Sequence, residues 1–246
     1  MTMISWMQRQ WYCAPGCLLL FAMAATLFIL FPQADLEFTN LFYAGHGLFP
    51  ANDWWMVQFV YQGTPWFGRL FFLIAVGFLL LAIIKPTVIS RRHLRRAAAV
   101  MAVVVLGIGM VVHVFLKEGM GRPRPRDVQT FQGSTAYVPV FLPSQFCQKN
   151  CSFVSGHAAV GFALMSVGFF GVRRRRQFWF LTGLFAGSII GLVRIMQGGH
   201  FLSDVVFSLV SIWAVHLFVR FTWIRFRAWQ LQKARLAVGQ LSKSNL

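Results

Sequence analysis

Acidic residues are scarce in this chain, and charged residues of any kind are few. Its 246 residues include only 6 Asp and Glu against 23 Lys and Arg, and charged residues make up 12% of the sequence. Hydrophobic residues make up 57%, and the mean hydropathy is +0.62. This composition excludes an ordinary soluble domain of this length and favours a membrane protein.

The apolar residues lack the alternation typical of outer-membrane β-barrels, and the chain has no internal repeat or low-complexity tract. They form long runs instead, and about twenty apolar residues span a bilayer as a helix. We therefore predict an all-α fold, a bundle of six transmembrane helices in a single domain over residues 1–246, with a basic tail over 220–246. The first run could instead be a signal peptide, but no clear small-x-small cleavage site follows it. The six runs cover residues 14–32, 66–84, 97–116, 155–172, 177–196 and 201–219.

Positive charge is concentrated in three regions: the loop after the second run, the loop after the fourth run and the C-terminal tail. Cytoplasmic loops of membrane proteins collect Lys and Arg, so six spans place these regions and both termini in the cytoplasm. The net charge of +17 then needs no nucleic-acid partner. All six acidic residues fall on the opposite, outer side. Six basic residues also fall there, against the rule, and an anionic ligand would explain them: Lys117, Arg122, Arg124, Arg126, Lys149 and Arg194.

The first group of these cations lies directly after the third run, in the stretch KEGMGRPRPR from Lys117 to Arg126. The prolines stiffen the backbone and prevent the helix from continuing. Arg binds phosphate oxygens bidentately, and Lys supplies a compact positive charge. The segment therefore predicts an anion site, with a basic segment that only touches lipid headgroups as the alternative.

A second polar group opens the fourth run, where Ser155, Gly156 and His157 stand in the stretch FVSGHAAVGF. Ser is a favoured helix N-cap, and a helix N-terminus presents free N–H groups to anions. A histidine at that point can reach the same anion. The alternative is a capping serine beside an interfacial histidine.

A third group joins the fifth and sixth runs and contains Arg194, His200 and Asp204. His200 and Asp204 are four residues apart, so on a helix they share a face and can touch. An Asp that bonds one imidazole nitrogen fixes the tautomer and leaves the other nitrogen free to act. Gly198 and Gly199 provide a break that lets the end of the fifth run fold back toward His200. A purely structural His–Asp pair is the alternative.

The predicted topology brings these three groups to one face of the membrane. Lys117 ends the third span, His157 starts the fourth, Arg194 ends the fifth and His200 starts the sixth, all on the outer side. We therefore predict one active site at the outer membrane face, built around a bound phosphate.

Taken in order, the patterns Lys-x6-Arg-Pro, Ser-Gly-His and Arg-x5-His-x3-Asp resemble the three-part signature of the type 2 phosphatidic acid phosphatase (PAP2) superfamily. Integral-membrane members of that superfamily have six spans with this placement of motifs, and the resemblance covers the core over residues 97–219. Two positions depart from the usual pattern. Val154 replaces a proline, and Val193 replaces a serine whose hydroxyl could help to position phosphate.

The resemblance implies hydrolysis through a phosphohistidine, without a cofactor. His200 would attack phosphorus, Asp204 would orient the imidazole, and His157 would protonate the leaving oxygen and then activate water. The sequence has no set of Cys, His and carboxylate residues with metal-ligand spacing, so we expect no metal. The phosphate-binding groups would be Lys117, Arg124, Ser155, Gly156 and Arg194, while Arg122 and Arg126 would contact lipid headgroups.

A site at the membrane–water boundary favours a lipid phosphate over a soluble ester. For bacterial members, the resemblance implies lipid A, undecaprenyl diphosphate or phosphatidylglycerol phosphate as substrate. We expect a bacterial inner-membrane protein with its site facing the periplasm, where Cys147 and Cys151 could form a disulfide or remain free thiols. Two other functions stay open, a lipid phosphotransferase that uses the same site and a non-catalytic lipid transporter or lipid-binding protein. The sequence does not predict the oligomeric state.

Overall fold

The structure, a computed structural model, describes residues 13–85, 87 and 91–244. Residues 1–12, 86, 88–90 and 245–246, which belong to the predicted domain, lie outside the described residues. The described part of the chain contains seven α-helices and no β-strand. The prediction of an all-α fold is therefore confirmed. The helices are α1 (Cys13–Leu30), α2 (Gln33–Asn40), α3 (Trp55–Ile84), α4 (Arg91–Ala102), α5 (Gly156–Phe162), α6 (Arg173–Met196) and α7 (Leu202–Ser244).

Two of these helices continue with a different winding. A π-helix over Val103–Glu118 extends α4, and a 3₁₀-helix over Ala163–Gly168 extends α5. Helix α1 ends before Pro32, and α2 then leaves at an angle of 88°. Proline has no N–H to donate and disfavours helical geometry in the residue before it, so the chain bends there.

Four described helices are long and apolar enough to cross a membrane: Trp55–Ile84, His93–Lys117, Arg173–Met196 and Leu202–Lys233. The bent pair Ala14–Leu30 and Gln33–Asn40 would make a fifth span if counted as one. The fourth predicted run corresponds to the shorter apolar helix Gly156–Gly168. Every predicted run is therefore helical, while the number of six spans stays a prediction.

Helix α5 is almost completely buried, which explains how so short a helix fits among longer ones. Small residues bring it close to α6: an added methyl at Gly161 would lie 2.6 Å from the Gly187 backbone. One at Gly187 would collide with the ring of Phe162. Such small-residue faces let helix backbones approach closely in membranes. The N-terminus of α5 is thereby fixed against its neighbours, and the candidate site lies at this end.

Candidate active site

The N-terminus of α7 is held by two carboxylates. Asp204, three residues after Phe201, accepts a hydrogen bond from the Phe201 N–H at 2.8 Å. Asp35, carried by α2, accepts one from the Ser203 N–H at 2.8 Å. The first N–H groups of a helix lack intrahelical partners, and negative charge is favourable there. The bend after α1 thus delivers Asp35 to the start of the helix that carries Asp204.

Arg122 lies between these two carboxylates in the protein interior. Its Nη1 is 2.7 Å from Asp204 Oδ1, and its Nη2 is 2.8 Å from Asp35 Oδ2. The side chain of Arg122 is 1% exposed, as is that of Asp35, while Asp204 is 0% exposed. The expectation that Arg122 contacts lipid headgroups is wrong, because its guanidinium is buried in two ion pairs. These two carboxylates raise the pKa of Arg122 despite the opposing effect of burial.

Arg126 differs from Arg122 in its surroundings. Its side chain is 51% exposed, and its Nε lies 3.8 Å from Asp127 Oδ1. An exposed ion pair of this length contributes little to stability. Contact of Arg126 with lipid headgroups stays a prediction.

His200 and Asp204 lie side by side, as their spacing predicts. The distance from His200 Nδ1 to Asp204 Oδ2 is 3.6 Å, which is longer than a hydrogen bond. Asp204 Oδ2 instead accepts from the Ser152 hydroxyl and the Phe201 N–H. Burial is the main cause that lowers the pKa of His200 to about 3, so its ring is neutral at physiological pH. A neutral imidazole is the form that can act as a nucleophile.

Lys117 and Arg124 converge on one residue, Asn150. Lys117 Nζ donates to Asn150 Oδ1 at 3.0 Å, and Arg124 Nη2 donates to the Asn150 carbonyl at 2.6 Å. Asn150 adopts a left-handed conformation with φ 54°, which asparagine tolerates better than most residues. It lies within the short loop that a disulfide between Cys147 and Cys151 closes. Two oxygens of this loop therefore bind the two cations that the sequence predicts for phosphate.

Ser155 organises the start of α5. It is the N-cap, and its side chain accepts a hydrogen bond from the Ala158 N–H at 3.3 Å. Its own N–H donates to the Asp204 carbonyl at 3.1 Å. The expectation that the Ser155 N–H binds phosphate is wrong for this reason, since that donor already holds α5 to α7. The N–H of Gly156, at the first position of α5, has no intrahelical acceptor.

Gly156 also gives neighbouring side chains room to approach the start of α5. A methyl group added there would lie 3.3 Å from the His113 ring and 3.7 Å from Lys117 Cε. An alanine would therefore crowd the His113 ring, and a side chain larger than a methyl would also press on Lys117. The glycine allows the Lys117 ammonium to stay beside the α5 N-terminus.

His157 and Arg194 meet at a tyrosine of α3. The rings of Tyr61 and His157 stack with centroids 5.2 Å apart, and the Arg194 guanidinium lies 4.4 Å from the Tyr61 centroid. Among the described residues, His157 Nε2 and Arg194 Nε are buried without a hydrogen-bond partner. The other end of the Arg194 guanidinium donates to the Gln197 side chain. Two polar atoms beside the cation group are therefore left to bind a ligand.

The five predicted cationic and imidazole groups share one electrostatic environment. His157 interacts with the charges of Lys117, Arg124 and Arg194. His200 interacts with those of Lys117 and Arg194. The structure thus brings the three sequence patterns together, since Gly156 lies against Lys117 and the Ser155 N–H binds the Asp204 carbonyl. Within the described part of the chain, no group of three or more His, Cys, Asp and Glu side chains is arranged to hold a metal ion.

Comparison with known protein families gives a match over the part of the chain that contains these motifs. The family model described as the PAP2 superfamily matches residues 98–229, more than half of the chain. The chain belongs to the PAP2 superfamily. The prediction of a PAP2 lipid phosphatase is confirmed, and the matched region contains all three motifs.

Curated relatives of this PAP2 protein cover most of its length. A lipid A 4'-phosphatase of Francisella tularensis subsp. novicida is 33% identical over 199 residues, 77% of this chain and 87% of the relative. Lipid A 4'-phosphatases of Rhizobium leguminosarum and Rhizobium etli are each 29% identical, over 206 and 202 residues. Those alignments cover 75% of this chain, with 85% of the first relative and 77% of the second. No solved structure shows a significant match to the chain.

Proposed function

We propose that this PAP2 phosphatase removes a phosphate monoester from lipid A at the periplasmic face of a bacterial inner membrane. The observation that carries the proposal is the geometry near the α5 N-terminus, where Lys117 lies beside Gly156 and shares Asn150 with Arg124. His157 and Arg194 share contacts with Tyr61 there. Three relatives named lipid A 4'-phosphatase support the choice of lipid. Apolar helices around the site suit a substrate whose acyl chains stay in the membrane.

The first chemical step forms a phosphohistidine. Nδ1 of His200 faces Asp204, so Nε2 attacks phosphorus in line with the ester oxygen. A nitrogen–phosphorus bond forms and the phosphorus–oxygen bond to the lipid breaks. His157 enters this step protonated and gives its proton to the leaving alkoxide. Asp204 stabilises the positive charge that develops on the His200 ring.

The second step returns the enzyme to its starting state. His157, now neutral, takes a proton from a water molecule that attacks the phosphorus. The nitrogen–phosphorus bond breaks, inorganic phosphate leaves, and His200 is again neutral. Each phosphoryl transfer concentrates negative charge on the oxygens, which Lys117, Arg124 and Arg194 offset together with the Gly156 N–H.

The orientation and domain boundaries belong to the same proposal. Six spans put both termini in the cytoplasm and the site in the periplasm, because basic residues fill the loops opposite the site. A periplasmic location is also compatible with the disulfide between Cys147 and Cys151. The domain occupies residues 1–246, with the core over 97–219 and the basic tail over 220–246.

Phosphate release by the purified protein tests this function. The substrates are lipid A, undecaprenyl diphosphate and phosphatidylglycerol phosphate in detergent micelles, each with and without EDTA. We expect inorganic phosphate from lipid A with loss of its monoester, no effect of EDTA, and inhibition by vanadate. His200→Gln should release no phosphate while eluting as the wild type does in size exclusion.

The outcomes separate the alternatives. Faster release from undecaprenyl diphosphate would identify a pyrophosphatase and overturn the choice of lipid. Transfer of the phosphoryl group to a second lipid without free phosphate would identify a phosphotransferase. Lipid binding without turnover of any ester would identify a non-catalytic lipid-binding protein.

A further inference from the structure

We propose that Arg122 and Asp35 are positioning residues for the proposed reaction, which act on His200 through Asp204. Neither belongs to the motif residues that the sequence patterns assign to phosphate or proton transfer. Asp35 also lies outside the part of the chain that the family model matches. The inference rests on the proposed function, because it assigns a role in the attack by His200.

The hydrogen bonds of Arg122 are the first step of the argument. A guanidinium has five N–H donors. Its contacts reach five acceptors on three different segments, so no donor is left for a phosphate oxygen. The acceptors are the Val138 carbonyl at 2.8 Å, Ser203 Oγ at 2.8 Å, Asp204 Oδ1 at 2.7 Å, Asp35 Oδ2 at 2.8 Å and Tyr137 Oη at 3.3 Å.

The position of Asp204 is the second step. Arg122 holds one of its oxygens, and the Ser152 hydroxyl and Phe201 N–H hold the other. The second oxygen is the one that faces His200 Nδ1 at 3.6 Å. A carboxylate fixed through both oxygens cannot rotate away from the imidazole. The Arg122 charge also keeps this fully buried carboxylate ionised, which the charge developing on His200 requires.

Asp35 completes the arrangement from the other side. It binds Arg122 Nη2 and also accepts from both the N–H and the hydroxyl of Ser203. Asp35 therefore sets both the orientation of the guanidinium and the start of α7, the helix that carries Asp204. One buried cation between two buried carboxylates is costly to disrupt, because removal of a partner leaves an uncompensated charge.

The test measures kcat and KM separately for Arg122→Gln, Arg122→Lys and Asp35→Asn with the lipid on which the wild type is active. Displacement of reacting groups by about 1 Å costs on the order of 10²-fold in rate. We expect kcat of Arg122→Gln to fall about 10²-fold and that of Arg122→Lys about tenfold. KM and the dissociation constant of vanadate should change less than about threefold, because Arg122 has no donor left for phosphate.

Matched controls separate positioning from general damage. Arg225→Gln removes an exposed Arg from the middle of α7, and Asp53→Asn neutralises an exposed Asp; both should turn over like the wild type. Asp35→Asn in the Arg122→Gln background should cost much less than Asp35→Asn alone, since both act through Asp204. If Arg122→Gln does not fold, Asp35→Asn and Arg122→Lys carry the same test.

The results that overturn the inference are distinct from failure of the proposed function. If the wild type releases no phosphate from any lipid, the function fails and this inference with it. If the wild type is active and Arg122→Gln and Asp35→Asn turn over like their controls, only the inference fails. A rise in KM and in the vanadate dissociation constant with unchanged kcat would also overturn it, because Arg122 would then bind phosphate directly.

Discussion

The contact between Lys117 and Asn150 allows a direct test of where phosphate binds. The side-chain oxygen of Asn150 lies 3.0 Å from the Lys117 ammonium. Asn150→Asp would replace this amide with a carboxylate at the same position. Opposite charges 3.0 Å apart attract by about 1.4 kcal/mol at the dielectric constant of water, which suits this exposed loop residue. Substrate phosphate must compete with that carboxylate, so KM should rise about tenfold, the factor that corresponds to about 1.4 kcal/mol. The value of kcat should change little, because the chemistry after binding is the same.

The assay is phosphate release over a range of lipid concentrations, together with vanadate binding. Gln148→Glu adds the same charge two residues away, within the same disulfide-closed loop, and should leave KM within about twofold of the wild type. Asn150→Gly keeps the backbone carbonyl and the left-handed conformation, so KM should stay equal or fall. The reasoning is refuted if Asn150→Asp and Gln148→Glu have the same KM, since phosphate would then bind away from Lys117.

Three further predictions concern packing, the Tyr61 contacts and pH. Gly161→Ala places a methyl 2.6 Å from the Gly187 backbone and should lower stability by about 1–3 kcal/mol, seen as a lower Tm in detergent. Gly77→Ala meets no atom within 4 Å and should not lower it. Tyr61→Leu removes the ring beside Arg194 and should lower kcat/KM about tenfold, whereas Tyr61→Phe keeps the ring and the activity; equal losses in both would contradict this. The pKa of His200 is about 3 in the folded protein and about 6.5 in an unfolded chain. Below about pH 6.5 the unfolded chain therefore binds a proton that the folded protein does not, and the free energy of unfolding falls as pH falls. The Tm of the wild type should therefore fall more between pH 7 and pH 5 than that of His200→Gln, and parallel curves would contradict the assignment.

The helices and the motif positions could be predicted from sequence because both depend on local patterns. Each apolar run is helical, and the break at Gly198–Gly199 lies where the sequence indicates. His200 and Asp204 are close in sequence and meet at 3.6 Å, although His200 lies two residues before the first turn of α7 that carries Asp204. The ordered set of patterns was sufficient to predict the superfamily.

The partners of the motif residues could not be predicted, because they come from distant parts of the chain. Arg122 and Arg124 are each followed by a proline in one short stretch. The sequence does not indicate that Arg122 is buried and Arg124 is half-buried. Asp35 is one of only six acidic residues, which marks it as unusual in this chain. Nothing in the sequence, however, predicts its contact with Arg122, 87 positions away. Tyr61 and Asn150 lie in segments with no motif, and only the packing of α3 and the disulfide loop brings them to the site.

The length of α5 shows a second limit of sequence patterns. The fourth run begins with polar residues, and its helix Gly156–Gly168 is shorter than a spanning helix. Glycines pack it against α6, so its apolar character serves burial inside the protein. Hydropathy alone cannot distinguish an apolar face that contacts lipid from one that contacts other helices.

Identification of the covalent intermediate tests the central claim most directly. The wild type is mixed with lipid A carrying a radiolabelled phosphate, quenched with alkaline denaturant that preserves phosphohistidine, and digested for peptide mapping. We expect the label on His200, its absence in His200→Gln, and its longer persistence in His157→Ala, which lacks the base for the second step. Label on a different residue, or phosphate release by the wild type with no labelled protein at any time, would contradict the account.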